Sequence, residues 1–160
     1  FRPVKPTDEL ALSEMFYSLS PSSVRSRYFT HTMTFPHREV QKVVNIDYRN
    51  DLAMVGVVPS PAGDDIVAIA QYFLDPQTQI AEVAFIVQDD WQKKGMGTHL
   101  LEYLAQVAAK RGVKRFFAKV LPANKPMLAV FHNSGYRVST EFDGEAYSVV
   151  FDLDRADSSR

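Results

Sequence analysis

The chain has 160 residues, 46% of them hydrophobic and 23% charged, with a formal net charge of −1. That length and mix describe one globular core burying roughly 70% of its unfolded surface, and they exclude disordered and fibrous chains. The near-neutral charge argues against a general nucleic-acid binder, and the absence of cysteine excludes a disulfide scaffold, a Cys-zinc site and a thiol nucleophile.

In chain order, residues 2–4 read as a short strand. Thr7 or Asp8 then caps a helix to about Leu19, with apolar positions at Leu10, Leu12, Met15, Phe16 and Leu19. Ser20-Pro21-Ser22 starts a second short helix through Arg25–Tyr28, and Pro36 starts a third to about Ile46. Leu52–Val58, Ile66–Leu74 and Gln79–Val87 are β-branched, apolar runs. The polar Pro59–Asp65 and Asp75-Pro76-Gln77-Thr78 segments turn the chain between them, so an antiparallel meander is expected. Gly97–Arg111 is an amphipathic helix with Leu100, Leu101, Leu104, Val107 and Ala108 on one stripe, ended by Gly112. Lys114–Leu121 is a strand, Asn124 caps a helix stopped by Gly135, and Tyr136–Glu141 with Glu145–Leu153 closes as a hairpin. The expected fold is α+β (mixed α/β), a single domain over residues 1–154 with 155–160 as a frayed tail.

The most informative stretch joins the Gln79–Val87 strand to the long helix: Gln88-Asp89-Asp90-Trp91-Gln92-Lys93-Lys94-Gly95-Met96-Gly97-Thr98. Glycines let a backbone approach a ligand, and a helix N-terminus presents unpaired N–H groups to an anion. Seven basic residues against the one acid Glu102 fall in residues 91–119, which favours a polyanionic ligand there. A tight turn with solvated lysines fits the same residues. A P-loop is excluded, because Thr98-His99 follows Gly97 where Lys-Ser/Thr is needed, and a dinucleotide fingerprint is excluded by Leu100 at its third glycine.

Glu82 is the one charged residue in the run Ile80–Val87. A carboxylate among apolar neighbours suits a general base, and a solvent-facing position on an open sheet fits equally well. No histidine pair carries metal-ligand spacing, so no metal site is expected, and no Gly-x-Ser-x-Gly elbow is present. The cluster Tyr28-Phe29-Phe35 reads as core and Arg25 and Arg27 as a solvated face.

Gln92-Lys93-Lys94-Gly95-Met96-Gly97 resembles the Gln/Arg-x-x-Gly-x-Gly/Ala signature of the GNAT acyltransferases. The helix from Asn124 to Gly135-Tyr136 is similar to that family's second motif. Arg2–Asp8, Ser26–Phe29, Asn45–Tyr48 and Ala81–Val87 resemble the Pat-type protein lysine acetyltransferases, whose GNAT domain is often fused to a CoA-handling enzyme. The resemblance implies a mostly antiparallel sheet splayed between Gln79–Val87 and Lys114–Leu121, with acetyl-CoA in the splay. It implies that Gln92, Lys93, Lys94, Gly95, Met96, Gly97 and Thr98 hold the pyrophosphate and that Ile86 and Val87 lie beside the acetyl and pantetheine groups. It also implies that Asn124 bonds the pantetheine arm or caps its helix, and that Glu82 is the base in a direct ternary complex. Phe131 stands in the cofactor site where many relatives have a general-acid Tyr; Tyr103, Tyr136 and Tyr147 are the possible substitutes.

The implied activity is acetyl-CoA-dependent N-acetylation of an amine acceptor, a protein lysine first. A small-molecule amine acetyltransferase and a regulatory acyl-CoA-binding module are the alternatives, the second kept open by Phe131. No apolar run approaches the ~18 residues of a membrane span and no secretory signal is visible, which with the missing cysteines suits a cytoplasmic chain with neither membrane nor nucleic-acid partners. The start at Phe1 without Met reads as a processed form or a piece of something longer.

Overall fold

The computed structural model describes residues 1–28, 36–61, 63–92 and 94–153. Phe29, His31, Phe35, Lys93 and the 155–160 tail lie outside the described residues. Seven strands form one sheet: β1 Arg2–Pro3, β2 Asp51–Ser60, β3 Gly63–Asp75, β4 Ile80–Val87, β5 Arg115–Val120, β6 Val138–Phe142 and β7 Tyr147–Asp152. The helices are α1 Glu9–Ser18, α2 Pro21–Tyr28, α3 Pro36–Val44, α4 Met96–Lys110 and α5 Lys125–His132. The sheet order is β1-β2-β3-β4-β5-β7-β6. The expected meander is β2–β3–β4, and the pair β4–β5 is parallel, with α4 as its crossover.

Helices cover the two faces because the strands alternate their side chains. On one face Met54, Ala70, Tyr72, Ala81, Val83 and Phe116 meet Leu100, Leu101, Leu104 and Ala108 of α4 and Phe131 of α5. On the other, Ala53, Val55, Ile69 and Ile86 meet Leu12, Met15 and Phe16 of α1 and Val40, Val43 and Val44 of α3. Burying each such side chain contributes about 1.5–3 kcal/mol, which holds helices this short in place.

The parallel pairing is brief. Ile80↔Arg115, Ala81↔Phe116 and Glu82↔Phe117 are its three rungs. Beyond them β4 stays paired to β3 through Val87↔Ala68, and β5 to β7 through Val120↔Tyr147, so the two strands part and leave facing edges unpaired. This is the expected splay.

Several boundaries differ from the sequence reading. A 3-10 turn over Pro6–Asp8 precedes α1, and Asp8 makes no side-chain cap. Its carboxylate instead accepts two hydrogen bonds from Arg2, at 2.8 and 2.9 Å, and one from the Lys5 N–H at 2.7 Å. A charged, bidentate partner outcompetes a neutral helix amide. β2 and β3 run through most of the polar Pro59–Asp65 segment, with Pro59 opposite Asp64, because cross-strand pairing overrides composition. β6 starts at Val138 because Gly135 turns at φ +84° and Tyr136 packs on Phe151, ring centroids 5.9 Å apart.

Candidate active site

Glu82 lies on the last rung before β4 and β5 separate. It is on the same sheet face as Ile86, two turns of the strand period along, and its side chain is exposed. Of the two readings of Glu82, the geometry therefore rejects a carboxylate enclosed by its sequence neighbours: Ala81 and Val83 point to the opposite face. Its own flanking residues are Phe73 on β3 and Phe117 on β5.

From this rung a cleft of about 320 Å³ opens between the strands. Glu82 through Phe85 form one wall and Ala118 through Val120 the other. Asn124, Met127 and Phe131 of the α5 segment close it on one side, and Arg27 of α2 reaches it on the other. Gln88 N–H donates to Val67 O at 2.8 Å, which fixes the phase of the β3–β4 ladder. Because antiparallel pairs alternate, the backbone groups of Ala84 and Ile86 are directed at β3 and those of Val83, Phe85 and Val87 at the β5 side, where the cleft opens past the Glu82–Phe117 rung.

The glycine loop sits at the far end of β4. A 3-10 turn over Asp89–Trp91 leads into it, and Lys94 Nζ stands 5.4 Å from the centre of the Trp91 ring. Gly95 has φ +82°, a conformation that suits glycine, and immediately precedes α4. The first intrahelical bond runs from His99 N–H to Gly95 O at 3.1 Å, so the amides of Met96, Gly97 and Thr98 come before it and point out of the helix end. A Cβ on Gly97 would stand 3.5 Å from Val130 Cγ2 and 3.8 Å from Met127 Cε, so anything larger than alanine there crowds Met127, a wall of the cleft.

A mixed sheet splayed at Glu82, with a glycine-led helix end beside the opening, is matched by a known family: acetyltransferase (GNAT) over residues 20–136. The chain belongs to that family. It is an acetyltransferase, as are the named relatives. Acetyltransferase Pat of Mycolicibacterium smegmatis is 32% identical over 97 residues, 60% of this chain and 28% of that protein. The ribosomal protein bS18-alanine N-acetyltransferase of Escherichia coli K12 is 34% identical over 73 residues, 46% of this chain and 47% of that protein. The chain thus spans less than half the length of either curated relative. Among solved structures, the GNAT domain of S. lividans PAT aligns with a TM-score of 0.80 at 29% identity, covering 94% of this chain and 88% of that one.

Acetyl-CoA, the acyl donor of GNAT enzymes, needs an anion cradle continuous with a narrow, hydrogen-bonding slot. The residues of this GNAT domain fit both demands: three forward amides follow a left-handed glycine, and unpaired strand edges line the cleft.

The expected site residues divide. Glu82, Asn124 and Phe131 border the cleft. Asn124 precedes α5 without a side-chain cap bond, and its carbonyl accepts the Leu128 N–H at 3.2 Å, so its backbone starts the helix while its side chain lies at the cleft. Phe131 is 0% exposed and packs on Phe85 and Phe151, ring centroids 6.0 and 5.4 Å apart, so it backs the cleft as core. The Ile86 side chain is 5% exposed and turned into the α1–α3 layer, while Val87 packs against the α4 layer. The Gln92 amide is engaged inside the protein, donating at 2.9 Å to both Val87 O and Ser23 Oγ. Lys94, Gly95 and Thr98 are exposed at the loop, and Met96 and Gly97 are half-buried.

The three tyrosines considered as substitutes lie away from the cleft. Tyr103 packs on Phe1, Tyr136 on Phe151 and Tyr147 on Phe142, and none lines the cleft. Among the described residues no cluster of three or more His, Asp or Glu could hold a metal, and no helix is long and apolar enough to cross a membrane.

Two features escaped the sequence reading. Arg27, read as part of a solvated face, lines the cleft, with Nη2 donating to the buried Gln71 Oε1 over a long 3.4 Å. Asp89 accepts from Ser20 N–H at 3.2 Å and Ser23 Oγ at 3.1 Å, tying α2 to the glycine loop. Burial pushes the Asp89 carboxyl up, but the hydrogen bonds from Ser20 and Ser23 outweigh it and hold the group below its ordinary value. The Ser20-Pro21 helix start hinted at half of this network; its partner 69 residues away left no sequence signal.

Proposed function

We propose that this GNAT domain transfers the acetyl group of acetyl-CoA to the side-chain amine of a protein lysine, in a direct ternary complex, with Glu82 as general base. The observation that carries the reading is the place of Glu82, on the rung where β4 and β5 part and at the mouth of the cleft between them. The likeness to Pat of M. smegmatis and to the S. lividans PAT domain supports it.

The residues have distinct tasks. The amides of Met96, Gly97 and Thr98, with Lys94 nearby, hold the pyrophosphate at the α4 N-terminus. Val87, Phe85 and Val83 offer backbone groups along the cleft edge, Asn124 bonds the pantetheine arm, and Phe131 gives it an apolar back. Gln92 acts indirectly, by fixing the loop to Val87 and Ser23. Acetyl-CoA supplies an activated thioester. A lysine ammonium has an ordinary pKa of about 10.4, so Glu82 takes its proton before attack, directly or through water. With no cysteine in the chain, no thiol carries the acyl group in between. Since Phe131 has no hydroxyl, solvent protonates the departing thiolate, whose ordinary pKa of about 8.5 asks for little help.

A cytoplasmic setting and fusion to a CoA-handling domain belong to the same proposal. Phe131 at the cleft, with no tyrosine lining it among the described residues, favours a second reading, an acyl-CoA-binding module without useful turnover. CoA release from acetyl-CoA with a lysine peptide separates them. Turnover lost in Glu82→Gln, with acetyl-CoA binding kept by calorimetry, is expected. Full turnover in Glu82→Gln overturns the base, and binding without any turnover in the native chain establishes the module.

A further inference from the structure

Glu82 borders two cavities, and the acyl-transfer reading uses one of them. The second is a groove of about 400 Å³ on the other side of Glu82. Its floor is one lateral row across four strands: Phe73 on β3, Glu82 on β4, Phe117 on β5 and Val150 on β7, each opposite the next in register. Ile80 and Asp75, opposite one another, form the next row. Directly opposed residues bring their Cβ atoms within about 5 Å, so the Glu82 carboxylate rises between two aromatic rings.

This row is not part of either core layer. Phe73 is 38% exposed and Phe117 is half-buried, on a sheet face where solvent-facing strands normally carry polar residues. The groove also has a sign. Glu82 and Asp75 are its charged residues, and no cation lines it among the described residues. Arg115, next to Ile80 in register, is engaged by Asp152 at 2.7 Å. One Asp75 oxygen accepts the Gln77 N–H at 2.9 Å. Apolar walls beside two carboxylates in neighbouring rows complement a cation on a hydrocarbon stem.

We propose that this groove selects the acceptor: the amine is presented to Glu82 on an unbranched stem lying across Phe73 and Phe117, and Asp75 faces a second cationic group of the acceptor. The inference rests on the acyl-transfer reading and names what it leaves open, the discrimination of a lysine side chain from a peptide α-amine. A lysine stem brings only methylenes between the two rings. An N-terminal α-amine brings a carbonyl and a branched carbon within two bonds of the nitrogen, and the Phe73 and Phe117 rings that flank Glu82 offer that carbonyl no donor; the groove's hydroxyl is that of Thr78, whose Oγ1 accepts the Ile80 N–H at 3.2 Å. Phe73, Phe117 and Asp75 are thus specificity residues and Glu82 the catalytic one.

The test compares two peptides by CoA release: one N-terminally blocked with a single lysine, the other with a free α-amine and no lysine. In parallel, calorimetry measures the blocked lysine peptide binding to the CoA-loaded protein. Native protein is expected to prefer the lysine peptide. Phe73→Ala is expected to cut kcat/KM for it at least tenfold, weaken its calorimetric binding and shrink the preference over the α-amine peptide. Phe117→Leu repeats the test with the core edge kept, and Phe73→Leu replaces Phe73→Ala if that variant unfolds. Asp75→Asn is expected to weaken a peptide with a second lysine or arginine and spare one without. Lysine turnover within twofold of native in both Phe variants overturns the inference, as does native preference for the α-amine; either leaves acyl transfer standing. If no amine is acetylated while acetyl-CoA binds, the acyl-transfer reading fails. The titration then decides alone: a lysine peptide that binds in a Phe73-dependent way supports the groove, and one that does not bind overturns it.

Discussion

Glu82 and Phe117 form the last rung joining β4 to β5, and beyond them the two strands part around the cleft. Glu82, the base of the proposed mechanism, therefore stands on a paired part of the sheet next to an unpaired one. This position makes its reach exacting. Glu82→Asp keeps the charge but withdraws the carboxylate by one methylene, a misplacement of about 1 Å that is expected to lower kcat about 10²-fold. Glu82→Gln removes the proton acceptor and is expected to cost about 10²–10⁴-fold. In both, KM for acetyl-CoA should stay near native, because the glycine loop lies at the other end of β4. Steady-state CoA release with acetyl-CoA varied at fixed acceptor measures the split.

How much of this was legible in the sequence depended on range. Strands β2 to β5 and helix α4 follow from alternation and helical spacing, which are local, and Gly95 and Gly97 mark the turn into α4 for the same reason. The Phe73–Glu82–Phe117 row could not be read, since it exists only through the registers of three strands. Arg27 looked like any charge on a short helix until α2 was placed against β4 and Gln71. Asp8 departs from the capping rule for a related reason: that rule considers only the helix it precedes, and Arg2 lies behind it. Phe131 was identified by its motif position, but whether position 131 presents its ring or buries it was settled by Phe85 and Phe151.

Gly95 is held by its backbone, because an added Cβ would meet only His99 Cδ2, at 3.9 Å. At φ +82° an alanine is strained by about 1–2 kcal/mol and asparagine by less. Gly95→Ala is expected to weaken acetyl-CoA binding several-fold and Gly95→Asn to restore most of it. Calorimetric titration checks the order; equal affinity in all three would mean that the loop amides are not used.

The Ser23–Asp89–Gln92 network predicts an effect on the cofactor from residues that do not line the cleft. Ser23→Ala removes a donor from Asp89 and an acceptor from Gln92, loosening both anchors of the loop. A net hydrogen bond of about 0.5–1.5 kcal/mol corresponds to roughly a two- to tenfold loss in affinity. Acetyl-CoA affinity is expected to fall by that much in Ser23→Ala and in Asp89→Asn, and no further in the double variant. Additive losses would mean that the two act separately.

Acid stability should depend on Asp8. Hydrogen bonds from Arg2 chiefly, and from Lys5 N–H, hold its carboxyl below the ordinary value against the opposing effect of burial. A carboxyl depressed in the folded state stabilises fully above its unfolded pKa, about 3.9, and loses that contribution as pH falls through the folded value. Asp8→Asn is therefore expected to lower stability at pH 7 by about 1–2 kcal/mol, given that Arg2 is partly exposed, and by much less near pH 2. Urea midpoints of both proteins at the two pH values measure the convergence.

Phe131 offers the sharpest test of how the thiolate leaves. Its ring backs the cleft from the α5 side, buried against Phe85 and Phe151, so a hydroxyl at position 131 tests whether this wall can present a proton donor to the cleft. Where solvent is the proton source, a positioned phenol adds a general acid, and Phe131→Tyr is expected to raise kcat about tenfold. The gain should vanish as pH rises through the phenol's ordinary value near 10, since the phenolate has no proton to give. A pH–rate profile of native and variant proteins reads both effects. If the hydroxyl is buried without a partner instead, the variant loses about 1–3 kcal/mol of stability with no gain in rate, and position 131 is excluded as a place for a general acid.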